Sequence, residues 1–128
     1  MSVGILCGVD IVEINRIKRA FDNPGTAFRD RVFTINEIDY CESRKAAKFQ
    51  SYAARFAAKE AVAKAFGTGI GSSVGLKDVE VLNTESGKPY IVLSGGAKEL
   101  YDKMKAVNMD ISLSHCENYA VAYVIIQY

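Results

Sequence analysis

The 128-residue chain has little of what builds a covalent or metal framework: three cysteines, two prolines and one histidine. Cys7, Cys41 and Cys116 are odd in number, lie far apart and form no C-x-x-C pair. That spacing indicates neither a disulfide framework nor a zinc site, and it fits a reducing, cytoplasmic compartment. Charge of one sign is also missing, with a formal net charge of +1. Nothing global therefore draws the chain to nucleic acid or to a membrane, and an electrostatic partner must be read by a local patch. The opening "MSVGILCGVDIVEI" has no basic segment, and its apolar run is too short for a signal peptide or a membrane span. There is no internal repeat, low-complexity segment or linker. What is present, 49% hydrophobic and 24% charged residues, is ordinary for a soluble globular protein. The length suits one domain over residues 1–128 with a modest core.

Periodicity divides this domain into elements. "ILCGVDIV" (5–12) is a continuous apolar run and predicts a buried strand. "EINRIKRAF" (13–21) places Ile14, Ile17 and Phe21 at helical spacing, with Arg16 and Arg19 on the opposite face. "NPG" (23–25) breaks the chain. "TINEIDYCESRK" (34–45) predicts a helix, with Thr34 and Glu37 forming a capping box. "KFQSYAARFAAKEAVAKAF" (48–66) predicts a long central helix. "LKDVEVLNTESGKPYIVLS" (76–94) predicts two strands around a turn containing Gly87. A helix over 95–107, capped by Ser94, and two strands within 110–128 complete the chain. The order β-α-α-α-β-β-α-β-β lacks regular βαβ alternation. It predicts an α+β fold, with helices packed on a largely antiparallel sheet. The apolar end "YAVAYVIIQY" offers surface to an oligomer.

Chemistry concentrates in "RFAAKEAVAKAFGTGIG" (55–71). Glu60 and Lys64 are spaced i, i+4 and project from one side of the helix. Arg55 and Lys59 form a second such pair on another side. A solvated salt bridge explains the first pair equally well. Ala57, Ala58, Ala61, Ala63 and Ala65 let another element approach closely. Gly67, Gly69 and Gly71 expose backbone N–H groups that can cradle phosphate, and they also simply end helices. No Gly-Lys-Ser/Thr follows, so this is not a Walker A loop. Asp10 lies inside an apolar run, where an ionised carboxylate needs a partner. Either it caps the next helix in a box with Glu13, or it binds a hard cation such as Mg²⁺, which commonly uses one or two carboxylates. His115 shares a strand face with Ile111 and Leu113, so it is either a core residue or a site residue.

The motifs "GVDIVEINR" (8–16), "FTINE" (33–37), "RFAAKEAVAKAFGTGIG" (55–71), "GKPY" (87–90) and "SLSH" (112–115) resemble, in order, those of holo-(acyl-carrier-protein) synthases. These are the short form of the 4′-phosphopantetheinyl transferase superfamily. The broad-specificity members are about twice as long and carry two fused modules. The resemblance implies Mg²⁺-dependent transfer of 4′-phosphopantetheine from coenzyme A to a serine of apo-acyl carrier protein, in fatty acid biosynthesis. Adenosine 3′,5′-bisphosphate is released. It implies Asp10 and Glu60 as metal ligands, Lys64 on the pyrophosphate, and Arg55, the Gly67–Gly69–Gly71 backbone and His115 near the nucleotide. Arg16 and Arg19 would meet the acidic carrier protein, and the family's homotrimers hold active sites between subunits. A non-catalytic phosphate-binding module would explain Arg55, Lys64 and the glycines without needing Asp10 beside Glu60. A purely structural oligomer would explain the apolar C-terminal strand alone.

Overall fold

The computed structural model describes residues 3–22 and 27–128. The chain runs β1 (Ile5–Glu13), α1 (Ile14–Asp22), α2 (Ala27–Val32), α3 (Ile35–Ser43) and α4 (Lys48–Phe66). It continues with β2 (Val79–Asn83), β3 (Pro89–Leu93), α5 (Gly95–Lys103), β4 (Asn108–His115) and β5 (Tyr119–Gln127). Single 3₁₀ turns precede α4, at Lys45–Ala47, and β2, at Leu76–Asp78. The predicted α+β class holds, and every strand pairing is antiparallel. The strands form two sheets rather than one, β1-β5-β4 and the β2-β3 hairpin. The break at "NPG" lies outside the described residues. The helix α2 was not foreseen, because six residues are too few to show a period.

The central helix α4 spans residues 48–66 as the periodicity indicates. It lies across the β1-β5-β4 sheet and buries Ala57, Ala58, Ala61, Ala63 and Ala65. The close approach that these alanines permit is taken by β1. A Cβ on Gly8 would stand 2.0 Å from the Ala61 carbonyl oxygen and 2.8 Å from the Ala65 nitrogen. Only glycine lets strand and helix backbones meet there. The inner sheet face is completed by Ala120, Ala122, Val124 and Ile126 of β5.

Two expectations for β1 are corrected. It is not buried on both faces: Gly8 and Val12 point inward, while Ile5, Val9 and Ile11 stay exposed. Their outer face continues into exposed Tyr119, Tyr123 and Ile125 of β5. Nor do Asp10 and Glu13 cap α1. The strand runs through Glu13, and α1 has no acidic residue in its first turn. The capping box of Thr34 and Glu37 does form at the start of α3. Ser94 occupies the N-cap of α5 without a side-chain bond.

Candidate active site

Gly8 sets the first half of the site. Side chains alternate along a strand, so Asp10, two residues on, faces α4 where the backbones are closest. Lys64 reaches back from the last turn of α4. Its Nζ donates to Asp10 Oδ1 at 2.9 Å and to the Val9 carbonyl at 3.1 Å. Glu60, one turn earlier on the same side, lies in the field of both. Burial holds its carboxyl above the usual range, and the Asp10 carboxylate raises it further. The Lys64 and Arg16 cations pull it part of the way back. Asp10, Glu60 and Lys64 are thus one cluster, and the solvated-pair reading of Glu60–Lys64 fails because Lys64 pairs with Asp10 instead.

This donor set fits a hard divalent cation. Two neighbouring carboxylates raise each other's affinity for positive charge, and only cations relieve them. Among the described residues no group of three or more His, Cys, Asp or Glu side chains gathers, so no closed protein cage exists. Mg²⁺ needs none, because it keeps waters and takes its remaining oxygens from a substrate phosphate.

A second half-site forms on the other flank of α4. Arg55 is buried, with its guanidinium 4.3 Å from the Tyr40 ring centre and Nη2 bonded to Asn83 Oδ1. Among the described residues its Nε has no partner, an unusual omission for a buried guanidinium N–H. Arg55 lines a cavity of about 440 Å³ together with Arg44, Asn83, Lys88 and His115. His115 is exposed at the end of β4, so it is not a core residue. Four basic side chains converge on one concave surface, which suits a polyanion. Lys88 falls within the motif "GKPY" but was not singled out as a site residue, and Arg44 and Asn83 carried no sequence signal.

Three expectations change. Lys59 is not a surface partner of Arg55. It is fully buried and donates to Glu37 Oε1 at 2.8 Å, to the Leu76 carbonyl at 3.0 Å and to the Val79 carbonyl at 2.6 Å. Ala57, Ala58, Ala61, Ala63 and Ala65 of α4 are buried within the fold, while Ala54 lines the cavity. The glycine loop is a helix stop rather than an amide cradle. Gly67 takes the left-handed conformation, φ 81°, and its N–H donates to the Lys64 carbonyl. The N–H of Gly69 is engaged by the Ala63 carbonyl, and that of Gly71 by the Val74 carbonyl.

The halves cannot share one small ligand within a chain. Across the sheet, Asp10 aligns with Ala122 and Leu113, and Val12 with Ala120 and His115. Two strand spacings, about 10 Å, separate the β1 and β4 edges, and a helix about 10 Å wide covers the strand between.

A family model described as the 4′-phosphopantetheinyl transferase superfamily matches residues 6–124, nearly the whole chain. The chain belongs to this superfamily. It is therefore a transferase. Among its phosphopantetheinyl transferase relatives, a holo-[acyl-carrier-protein] synthase of Ruminiclostridium cellulolyticum is 60% identical over 122 residues. That match covers 95% of this chain and 91% of the relative. The Helicobacter pylori holo-[acyl-carrier-protein] synthase, solved in complex with coenzyme A, has 32% identity and a TM-score of 0.84. It covers 94% of this chain and 99% of its own. The Bacillus anthracis enzyme, in complex with CoA (3′,5′-ADP), has 35% identity and a TM-score of 0.81, covering 98% of both chains.

Proposed function

We propose that the chain is a holo-(acyl-carrier-protein) synthase. It takes coenzyme A and apo-acyl carrier protein, moves 4′-phosphopantetheine onto a carrier serine, and releases adenosine 3′,5′-bisphosphate. The observation that carries this reading is the joining of Asp10, Glu60 and Lys64 in one half-open cluster. A passive phosphate-binding module has no use for two carboxylates held together. The relatives named holo-[acyl-carrier-protein] synthase, two of them solved with coenzyme A or its nucleotide, support the substrate.

Asp10 and Glu60 would hold Mg²⁺, which when bound supplies neutralising charge and alignment for phosphoryl transfer. In the transfer, the serine oxygen bonds to the phosphorus that carries the pantetheine arm, its proton passes to a cluster carboxylate or to water, and the bond from that phosphorus to the bridging oxygen breaks, so that adenosine 3′,5′-bisphosphate leaves with that oxygen. Lys64 lies where it can offset the charge that appears on the leaving phosphate. Arg44, Arg55, Lys88 and His115 would bind the phosphates of the nucleotide, with the buried Arg55 Nε an available donor.

The separation of the two halves by α4 favours assembly from two chains, with β1-side carboxylates of one subunit facing the basic cavity of the next. The exposed apolar face of β1 and β5 supplies a contact surface for such an assembly, and a homotrimer closes it. Arg16 and Arg19 are exposed on α1, and Arg16 acts electrostatically on Glu60. This basic face therefore adjoins the carboxylates, where an acidic carrier protein must deliver its serine. No helix among the described residues is long and apolar enough to cross a membrane, and the cytoplasmic location read from the cysteines is part of the same proposal.

The test is incubation with coenzyme A, Mg²⁺ and apo-acyl carrier protein, followed by intact mass spectrometry of the carrier. The phosphopantetheine adduct should form. Asp10→Ala and Glu60→Ala should each slow it roughly a thousandfold, about 4 kcal/mol of barrier, without unfolding the chain. Adduct formation at the parent rate in either variant would refute the assigned cluster.

A further inference from the structure

Lys64 Nζ donates to Asp10 Oδ1 at 2.9 Å, and so occupies one of the two oxygens on which a cation bound to this carboxylate would draw. The two partners differ in freedom. The Asp10 side chain is 17% exposed and fixed on a strand; the Lys64 side chain is 53% exposed on a long flexible stem. An ammonium and a divalent cation on the same carboxylate repel each other, and a half-buried site screens that repulsion less than water does. Glu60 stands one turn before Lys64 on the same side of α4, so the same ammonium also faces the second carboxylate.

We propose that Lys64 is a built-in counter-ion for the metal-free site, exchanged for the metal when the substrate arrives. The proposal rests on the reading of Asp10 and Glu60 as metal ligands. It has two consequences. Lys64 opposes metal binding when coenzyme A is absent, because the metal must displace it. Once displaced, its ammonium has no carboxylate partner until the pyrophosphate comes, so metal and coenzyme A bind cooperatively and Lys64 carries part of the coupling. The same exchange delivers Nζ to the leaving-group oxygens only when both partners are in place. A lysine that merely orients Asp10 for the metal would have the opposite effect, since its loss would weaken metal binding.

The experiment is Mn²⁺ binding to the full chain, followed by electron paramagnetic resonance. It is done at about 0.5 M KCl, where the Debye length is near 4 Å and only short contacts count. Without coenzyme A, Lys64→Met should bind Mn²⁺ about fivefold more tightly than the parent, the upper range for a partly exposed ion pair. Arg16→Met removes an equal charge near Glu60 without touching Asp10, and should change the affinity by less than roughly twofold. Saturating coenzyme A should raise the parent's Mn²⁺ affinity more than that of Lys64→Met and so narrow the gap. Both positions are exposed, and thermal unfolding checks that both variants fold. Unchanged or weaker Mn²⁺ binding by Lys64→Met, or an equal gain in Arg16→Met, overturns the exchange but leaves the metal site standing. No Mn²⁺ binding by the parent, with or without coenzyme A, removes the metal site and the exchange together.

Discussion

Lys59 and Lys64 lie five residues apart on α4, and each pairs with a carboxylate at nearly the same distance, 2.8 Å and 2.9 Å. Five residues are about 140° of helix rotation, so they face opposite ways. Lys59 is sealed with Glu37 beneath α3 and the start of β2, where both side chains are fully buried. Burial pushes the Lys59 ammonium below its usual range, and Glu37 offsets this in part. Glu37 in turn accepts from the Thr34 and Val81 N–H groups at 2.9 Å each. Every neighbour of that pair is committed to the fold. Lys64 meets Asp10 at the surface, with one backbone carbonyl as its other acceptor. One helix thus uses the same chemistry twice, once as a permanent tie and once as a contact that can be exchanged. The difference is in solvent access and in how many partners each lysine holds.

The comparison breaks most readily at Lys59. Lys59→Met should cost about 3–5 kcal/mol of stability, because it leaves Glu37 charged and unpaired in the core. Lys64→Met should cost under about 1 kcal/mol. Urea unfolding separates the two, and equal losses would erase the distinction. Adding Glu37→Leu to Lys59→Met should recover only part of the loss. The Val81 and Thr34 N–H groups would then lack their acceptor, at about 1–3 kcal/mol each.

On activity the ranking inverts. Lys64→Ala should lower the turnover rate roughly a hundredfold while changing the coenzyme A Michaelis constant far less, since charge builds on the leaving oxygens only as the bond breaks. Steady-state kinetics with varied coenzyme A measures both. A loss confined to the Michaelis constant would assign Lys64 to ground-state binding.

The smallest effect is on stability without metal. The folded Glu60 carboxyl is held above its unfolded value of 4.5 by burial and by Asp10. A carboxyl raised in this way favours the fold while protonated and loses that contribution as pH rises through its folded pKa. Glu60→Gln should therefore unfold a few degrees higher than the parent at about pH 8 in a chelator, with no gain near pH 4. Calorimetry at the two pH values checks it. A lower unfolding temperature at pH 8 would show that Glu60 is stabilised, not strained, in the metal-free chain.

Much of this molecule is legible in its sequence. The bounds of α4 follow from an unbroken alanine-rich run of helix formers, and the capping box at Thr34 from three residues of spacing. A charge inside an apolar run singles out Asp10, but it leaves capping and cation binding open. What the spacing could not give is which flank of α4 is buried. With alanine on nearly every side, the helix shows no apolar stripe to separate Lys59 from Lys64. Arg55 was visible as a charge, but its cavity is built with Arg44 and Asn83 from other elements, and only the fold joins them. The glycine loop misled for a physical reason. Glycine offers amides to a phosphate and to a helix end alike, and here the helix end takes those of Gly67 and Gly69 while a loop carbonyl takes that of Gly71. The outer face of β1 was read as core because a continuous apolar run does not show which of its alternate side chains the fold leaves exposed.

The central claim is that the carboxylate cluster of one chain works with the basic cavity of another. It is tested most directly by mixing two variants. Asp10→Ala lacks the first half; Arg44→Ala/Lys88→Ala/His115→Ala lacks the second at exposed positions that spare the core. Each should be nearly inactive alone in the carrier-protein assay. Unfolded together in equal amounts and refolded, they should regain about a quarter of the parent activity, the share of interfaces at which both halves are intact. A mixture no more active than its separate components would place both halves of the site within a single chain and contradict the account.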